Sequence, residues 1–166
     1  NGDRIMKKVL YLHGLESGQG GPKVDYLADK CYVHAPEMDY TRKDIFPCLA
    51  QMVEDFNPDL IIGSSMGGYA AYMLGGFYNI PILAFNPALH SRAFNPKFPI
   101  KAQNCYPSKA KIVLGEEDTI INPKKTLEFI TDQISYSFPK IEIENVDGMG
   151  HRIPLDIFIN KIQNEL

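Results

Sequence analysis

The residues with the clearest capacity for chemistry lie in one short segment, Gly63-Ser64-Ser65-Met66-Gly67. It matches the GxSxG pattern, in which a serine sits on a sharp turn between a strand and a helix. Gly63 and Gly67 suit that turn, because side chains there would block the close approach of neighbouring backbone. Aliphatic residues precede the segment and Tyr69-Ala70-Ala71-Tyr72 follows it, as the pattern requires. The segment predicts Ser65 as a nucleophile; the alternative is a small residue at a crowded turn.

A serine hydroxyl is a poor nucleophile at neutral pH unless a base lies beside it and a third group orients that base. Four histidines could supply the base: His13, His34, His90 and His151. His151 ends the glycine-rich stretch Asp147-Gly148-Met149-Gly150-His151, which can turn an imidazole toward the edge of a sheet. We predict His151 as the base, and the alternative is a solvent-exposed loop histidine.

The orienting acid is expected after another strand, and Gly115-Glu116-Glu117-Asp118 follows an aliphatic run. Asp118 is the preferred residue, because three positions past Gly115 the loop can curl back, whereas Glu117 is expected to point outward. Asp147 is the fallback, since it is nearer His151 in sequence. The alternative for each carboxylate is an ordinary surface charge.

Composition limits the kind of protein. With 166 residues, 45% of them hydrophobic, the chain can bury one sizeable core, so we predict a single domain over residues 1–166. The 17 basic and 20 acidic residues give a net charge of -3 and no reason to expect a nucleic-acid partner. Three cysteines without CxxC spacing argue against a disulfide framework or a zinc cluster. They favour a reducing, cytoplasmic location.

Residues 60–91 contain no Asp, Glu, Lys or Arg and are long enough to span a bilayer. Their glycines, asparagines and prolines instead indicate a strand, a turn, a helix and a second strand inside a globular domain, so we predict no membrane span. The apolar run at 9–12 is too short for a signal peptide, and Met6 resembles a natural start after residues 1–5.

Apolar runs typical of buried strands alternate with segments typical of helices. The runs are residues 9–12, 32–33, 60–62, 82–85, 112–114 and 141–146, and the helical segments are 23–29, 44–56, 66–77, 124–135 and 155–166. This alternation predicts an α/β fold with a mostly parallel sheet of about six strands and helices on both faces. Residues 88–109 fit neither period and contain several prolines, so they are predicted to form a short irregular lid over the site.

Four ordered motifs together resemble a known family. They are Tyr11-Leu12-His13-Gly14-Leu15-Glu16-Ser17-Gly18, the serine segment 63–68, Gly115-Glu116-Glu117-Asp118 and Gly148-Met149-Gly150-His151. The order serine, acid, histidine and these motifs resemble the α/β-hydrolase superfamily, and within it the small YqiA-type bacterial esterases. The resemblance covers nearly the whole chain and implies a minimal α/β-hydrolase fold.

The resemblance also implies an activity and further site residues. The backbone N–H groups of Leu15 and Met66 would form the oxyanion hole, with His13 and Gly14 supporting the first of them. The implied reaction is hydrolysis of a small-molecule carboxylic ester or thioester through an acyl-enzyme on Ser65. That mechanism needs no metal and no organic cofactor.

Two matters stay open at this point. Arg92, Lys97, Lys101 and Lys109 lie in a stretch without acidic residues, so a basic rim could favour acidic acyl groups or phosphate-bearing thioesters; a solvated loop is the alternative. The fold could also belong to a non-catalytic protein that binds a ligand or partner. A serine peptidase is disfavoured by the small size of the chain.

Overall fold

The computed structural model describes residues 6–15, 17–18, 20–134 and 139–166. Residues 1–5, Glu16 of the first motif and Ser135 of the predicted helix 124–135 lie outside the described residues. In the described part of the chain the strands are β1 (Lys8–Leu12), β2 (Tyr32–His34), β3 (Leu60–Ser64), β4 (Ile82–Phe85), β5 (Lys109–Gly115) and β6 (Lys140–Val146). The helices there are α1 (Pro22–Lys30), α2 (Ile45–Phe56), α3 (Met66–Tyr78), α4 (Ile100–Gln103), α5 (Pro123–Ile134) and α6 (Leu155–Ile162).

The six described strands form one sheet in the order β2-β1-β3-β4-β5-β6, and every neighbouring pair is parallel. The register aligns Leu12 of β1 with Gly63 of β3, and Ser64 of β3 with Phe85 of β4. The carboxyl ends of these strands therefore meet at one edge of the sheet, where parallel α/β sheets bind ligands. The predicted α/β-hydrolase fold class is confirmed.

The sheet is covered on both faces, because alternate residues of each strand point to opposite sides. Leu10 and Leu12 of β1 face a core that contains buried residues of α2, α3 and α5. Val9 and Tyr11 of the same strand face the other core, which contains Leu27 of α1 and Phe158 of α6. The two cores pack the sheet between helices on both of its faces.

Helix α3 is buried over most of its length, from Met66 to Gly75. Together with β3 and β4 it accounts for most of the stretch of residues 60–91 without charges, since the strands and the first ten residues of the helix are largely buried. None of the helices in the described ranges combines the length and the apolarity that crossing a bilayer requires.

The predicted lid, residues 88–109, differs from its expected form in two details. The short helix α4 follows Pro99, and β5 begins at Lys109, so the segment ends one residue earlier than predicted. The strand was placed too late because Lys109 and Lys111 interrupt the apolar pattern. Phe98 anchors the segment, since its ring lies 5.7 Å from that of Tyr69 in α3 and 5.5 Å from that of Phe46 in α2.

Candidate active site

Ser65 occupies a tight turn between β3 and α3. Its backbone has φ 54° and ψ -117°, a conformation that residues other than glycine seldom adopt and that costs about 1–3 kcal/mol. Hydrogen bonds hold it in place: the Ser65 N–H donates to the Phe85 carbonyl, and the Ser65 carbonyl accepts from the N–H groups of Tyr69 and Ala88, each at 3.0 Å. The turn presents the hydroxyl at the carboxyl edge of the sheet.

The glycines beside Ser65 are required by the packing of this turn. A Cβ on Gly63 would lie 2.1 Å from the Gly67 carbonyl oxygen, and a Cβ on Gly67 would lie 2.0 Å from the Leu12 carbonyl oxygen. Both distances are far inside van der Waals contact. The GxSxG spacing therefore lets α3 start directly against β3 and β1.

His151 lies between Ser65 and Asp118. Its Nε2 is 3.0 Å from Ser65 Oγ, and its Nδ1 is 2.9 Å from Asp118 Oδ2. Because an ionised carboxylate only accepts hydrogen bonds, Nδ1 carries the proton and donates to Asp118. Nε2 is then free to accept the Ser65 hydroxyl proton. The structure brings the three predicted side chains together in the order that proton transfer requires.

Asp118 is fixed by its own loop. Its side chain is fully buried, and Oδ1 accepts hydrogen bonds from the N–H groups of Ile120 and Ile121, each at 2.9 Å. The alternatives considered from sequence lie elsewhere, since Glu117 and Asp147 are both exposed. The acid next to the imidazole is thus a carboxylate with one oxygen held by backbone and the other facing His151.

Asn86, which sequence reasoning left without a role, ties the loops of Asp118 and His151 together. It follows β4 with φ 43° and is 1% exposed. Its amide Nδ2 donates to the carbonyls of Gly150 and His151, each at 3.0 Å, and its Oδ1 accepts from the Gly115 N–H at 2.8 Å. Two of these contacts fix the backbone on either side of the imidazole, and the third fixes the end of β5 from which the Asp118 loop starts. The only sequence signal for this role was its position, since Asn86 precedes Pro87 at the end of a predicted strand.

His13 shapes the opposite side of the site through its backbone and its ring. Its Nε2 accepts from the Met38 N–H at 2.8 Å, so Nδ1 carries the proton and donates to the Gly14 carbonyl at 2.7 Å. The Tyr40 hydroxyl donates to the His13 carbonyl at 2.5 Å. Because the carbonyl and the N–H of one trans peptide point in opposite directions, holding the Gly14 carbonyl also sets the direction of the Leu15 N–H.

The backbone positions predicted for an oxyanion hole lie beside Ser65. A Cβ on Gly14 would be 3.3 Å from Ser65 Cβ, which places the Gly14–Leu15 peptide against the serine. Leu15 and Met66 both line the same cavity as Ser65. Neither N–H donates a hydrogen bond to any residue in the described ranges.

The remaining histidines lie away from Ser65. His34 ends β2, where its ring lies 5.7 Å from that of Phe56. His90 has Nδ1 3.3 Å from the Thr126 hydroxyl, and burial together with nearby Lys125 and Arg92 lowers its pKa. Across the described residues, no three His, Cys, Asp or Glu side chains are grouped so that they could hold a metal ion.

Ser65 and His151 open into a cavity of about 730 Å³, a size typical of small-molecule sites. Its lining includes the apolar residues Ala88, Ile120 and Ile121. Its described cationic lining residues are Lys23, Arg92 and Arg152.

Of the four basic residues considered from sequence, only Arg92 lines this cavity; Lys97, Lys101 and Lys109 do not. The hypothesis of a basic rim built from residues 88–109 is therefore wrong for three of its four members. The two other cationic lining residues were not considered from sequence. Lys23 lies in α1, and Arg152 directly follows His151.

A parallel sheet with helices on both faces and a serine at the turn after β3 defines an α/β-hydrolase fold. The chain belongs to the family described as Uncharacterised protein family UPF0227, whose sequence profile matches residues 8–133. This is the YqiA-type family that the motifs predicted, so that resemblance is confirmed.

Solved structures share the fold across nearly the whole chain. A protein from Xanthomonas campestris pv. campestris, described as a hydrolase of the alpha/beta superfamily, is 17% identical with a TM-score of 0.64; the match covers 95% of this chain and 99% of that one. S-formylglutathione hydrolase from Staphylococcus aureus is 16% identical with a TM-score of 0.67, covering 99% and 84%. A serine hydrolase without a lid, from Xanthomonas campestris, is 15% identical with a TM-score of 0.58, covering 100% and 86%.

Proposed function

We propose that the protein is a serine hydrolase that cleaves a carboxylic ester or thioester through an acyl-enzyme on Ser65. The observation that carries the proposal is the connected pair of hydrogen bonds from Ser65 through His151 to Asp118 at the edge of a cavity. In this proposal Ser65 is the nucleophile, His151 is the general base and Asp118 orients the imidazole.

In the first step Ser65 Oγ attacks the carbonyl carbon of the substrate while His151 Nε2 takes the hydroxyl proton. The resulting imidazolium is stabilised by the Asp118 carboxylate. Negative charge develops on the carbonyl oxygen, where the N–H groups of Leu15 and Met66 would donate to it. One such donor lowers the barrier by about 3–4 kcal/mol in serine hydrolases.

The tetrahedral intermediate then expels the alcohol or thiol, which receives the proton from His151 Nε2. This leaves an acyl group esterified to Ser65 and a neutral imidazole. A water molecule gives its proton to His151 and attacks the acyl carbon; collapse of that second intermediate releases the acid and returns the proton to Ser65. The cycle consumes one water and restores every side chain.

An ester and a thioester both fit the proposal, since neighbours of the same fold include an esterase as well as S-formylglutathione hydrolases, whose substrate is a thioester by its name. Residues 88–109 would form part of the cover over the substrate, because Ala88, Arg92 and Ala93 line the cavity.

The test is hydrolysis of a short aryl ester and of the matching aryl thioester by wild type and by Ser65→Ala. We expect wild type to turn over at least one of them with a burst of the leaving group, and Ser65→Ala to give neither burst nor turnover. Ser91→Ala is the matched control, since Ser91 is an exposed serine that does not line the cavity.

Turnover that survives in Ser65→Ala would contradict the proposal. A folded wild type that hydrolyses neither compound would also contradict it, and would favour the non-catalytic binding protein that the sequence left open.

A further inference from the structure

We propose that Lys23 and Arg152 form an anion-binding subsite in the active-site cavity, and that the substrate is an ester or thioester carrying a carboxylate or phosphate group. The substrate class rests on the hydrolase function proposed above. The subsite itself depends only on the cavity and its charges, so the two can be tested separately.

The charge of the cavity lining is the first argument. The described lining residues include three cationic side chains and no carboxylate, although the whole chain carries a net charge of -3. A concave site lined by one sign of charge concentrates ligands of the opposite sign. An anionic substrate is therefore favoured over a neutral one of the same shape.

Arg92 is the least available of the three cations as an anion ligand, because four of its five N–H donors are already used. Its Nη1 donates to the carbonyls of Ala88 and Leu89, and its Nε and Nη2 donate to Asn95 Oδ1. The guanidinium also lies 4.2 Å from the centre of the Tyr69 ring. Arg92 therefore stabilises the backbone of residues 88–95. Lys23 and Arg152 are the cations that we expect to bind a ligand.

Lys23 and Arg152 face the cavity without a counterion. Neither forms an ion pair with a carboxylate of the described residues. Lys23 is half-buried, and its ammonium lies 5.6 Å from the centre of the Phe158 ring. Burial, and then the charge of nearby Arg152, lower the pKa of Lys23. Two cations that repel each other beside a hydrophobic ring would both be stabilised by an anion held between them.

The cavity that holds the subsite also has apolar lining residues. Ile120 is 66% exposed and lies beside buried Ile121 at the cavity, whereas the cations come from α1 and from the residue after His151. A substrate that fits both parts has an apolar portion and an anionic portion on one molecule. This is the pattern of an apolar acyl chain joined to a charged leaving group, or of a half-ester of a dicarboxylic acid.

The experiment compares kcat/KM for three phenyl esters whose acyl chains are of the same length. They are phenyl hexanoate, the phenyl half-ester of adipic acid with a carboxylate on the acyl part, and phenyl hexanoate with a phosphate on the ring of the leaving group. The variants are Lys23→Met and Arg152→Gln, which remove charge but keep most of the side chain. Lys97→Met is the control, since it removes an exposed lysine that does not line the cavity.

We expect wild type to prefer one of the anionic substrates by about tenfold, the size of one charge-assisted hydrogen bond. The ratio of anionic to neutral kcat/KM should fall toward one in Lys23→Met and in Arg152→Gln, and should stay at the wild-type value in Lys97→Met. Added salt should lower the ratio in wild type, because Arg152 is exposed. The substrate that shows the preference identifies the portion that carries the charge.

A wild-type ratio near one, or a ratio that the two variants leave unchanged, would overturn the subsite. Titration calorimetry with the matching non-hydrolysable amides covers the case in which no ester is cleaved. Tighter binding of an anionic amide that depends on Lys23 and Arg152 would support the subsite while the hydrolase function fails. Equal binding of neutral and anionic amides would overturn the subsite even in an active hydrolase.

Discussion

Strands β5 and β6 carry one polar cluster past their carboxyl ends and another along their length. Past the ends, Asp118 and His151 are held by hydrogen bonds from Asn86 and from loop backbone. Along the strands, Glu144 pairs with Lys111 at 3.1 Å and with Lys161 of α6 at 2.6 Å. Both clusters are partly buried and both use charged side chains.

The two clusters differ in what they constrain. Hydrogen bonds that involve backbone groups fix Asp118 Oδ1 and the His151 carbonyl in direction as well as in distance. The ammonium groups of Lys111 and Lys161 are charges on flexible stems. They join the edge strand β6 to β5 and to α6 without fixing any one atom so closely. We therefore expect changes in the first cluster to affect catalysis, and changes in the second to affect stability alone.

The largest effect is expected from His151→Ala, which removes the proposed base and leaves Asp118 without its partner. Ester hydrolysis should fall by about 10⁴-fold or more in kcat/KM, as in serine hydrolases that lose a triad member. Lys161→Met, from the second cluster, should stay within about twofold of wild type. Steady-state kinetics on the same ester measures both, and equal losses in the two variants would remove the distinction.

Asn86→Asp is expected to give an intermediate loss. The substitution keeps the shape and tolerates the positive φ, but it places a carboxylate oxygen against the carbonyls of Gly150 and His151 where an amide donated. We expect a loss of about 1–3 kcal/mol in the free energy of unfolding, from lost hydrogen bonds to buried groups. We also expect kcat to fall more than KM changes, because the imidazole is displaced.

Asn57→Asp is the matched control for that variant, since Asn57 is exposed and has a similar φ of 52°. Chemical denaturation and ester kinetics should leave it near wild type. If Asn86→Asp kept full kcat while losing stability, Asn86 would support the fold without positioning His151.

The smallest effect is expected from Glu144→Gln, which breaks both ion pairs of the second cluster. At neutral pH the free energy of unfolding should fall by about 1 kcal/mol, since Glu144 is partly exposed and solvent screens the pairs. Catalysis should not change. Denaturation at several pH values measures the loss.

That loss should depend on pH in a definite direction. Hydrogen bonds from Lys161 and then Lys111 lower the pKa of Glu144 below its ordinary value of 4.5. A lowered carboxyl pKa stabilises the fold fully above the ordinary value, and this contribution disappears as pH falls through the lowered value. The difference between wild type and Glu144→Gln should therefore shrink below about pH 4, and a constant difference would contradict the ion-pair account.

The sequence predicted most of the fold because the signals are local. Aliphatic runs mark β1, β3, β4 and β6, and the glycines around Ser65 mark the turn that the packing requires. The start of β5 was placed wrongly because Lys109 and Lys111 are unusual in a buried strand. Lys111 is accommodated there by Glu144, a partner that lies on another strand.

The candidate site was only partly predictable, because some of its contacts join residues that are far apart in the sequence. Ser65, Asp118 and His151 follow strand ends, so sequence order was enough to propose them, and their roles stay a prediction. The part played by Asn86 depends on hydrogen bonds to residues 64 and 65 positions away. Lys23 lies at the cavity in a helix, α1, that packs against α6, far along the chain. Neither the hydrogen bonds of Asn86 nor the position of Lys23 is marked by a pattern of neighbouring residues in the sequence.

The central claim, that Ser65 is an activated nucleophile, is tested most directly by covalent labelling. Wild type, Ser65→Ala and His151→Ala would be treated with a fluorophosphonate and examined by intact-mass analysis and peptide mapping. The account predicts one label per wild-type molecule on Ser65, none on Ser65→Ala and a far slower reaction in His151→Ala. A folded wild type that stays unlabelled would contradict it. Labelling of His151→Ala at the wild-type rate would contradict it as well.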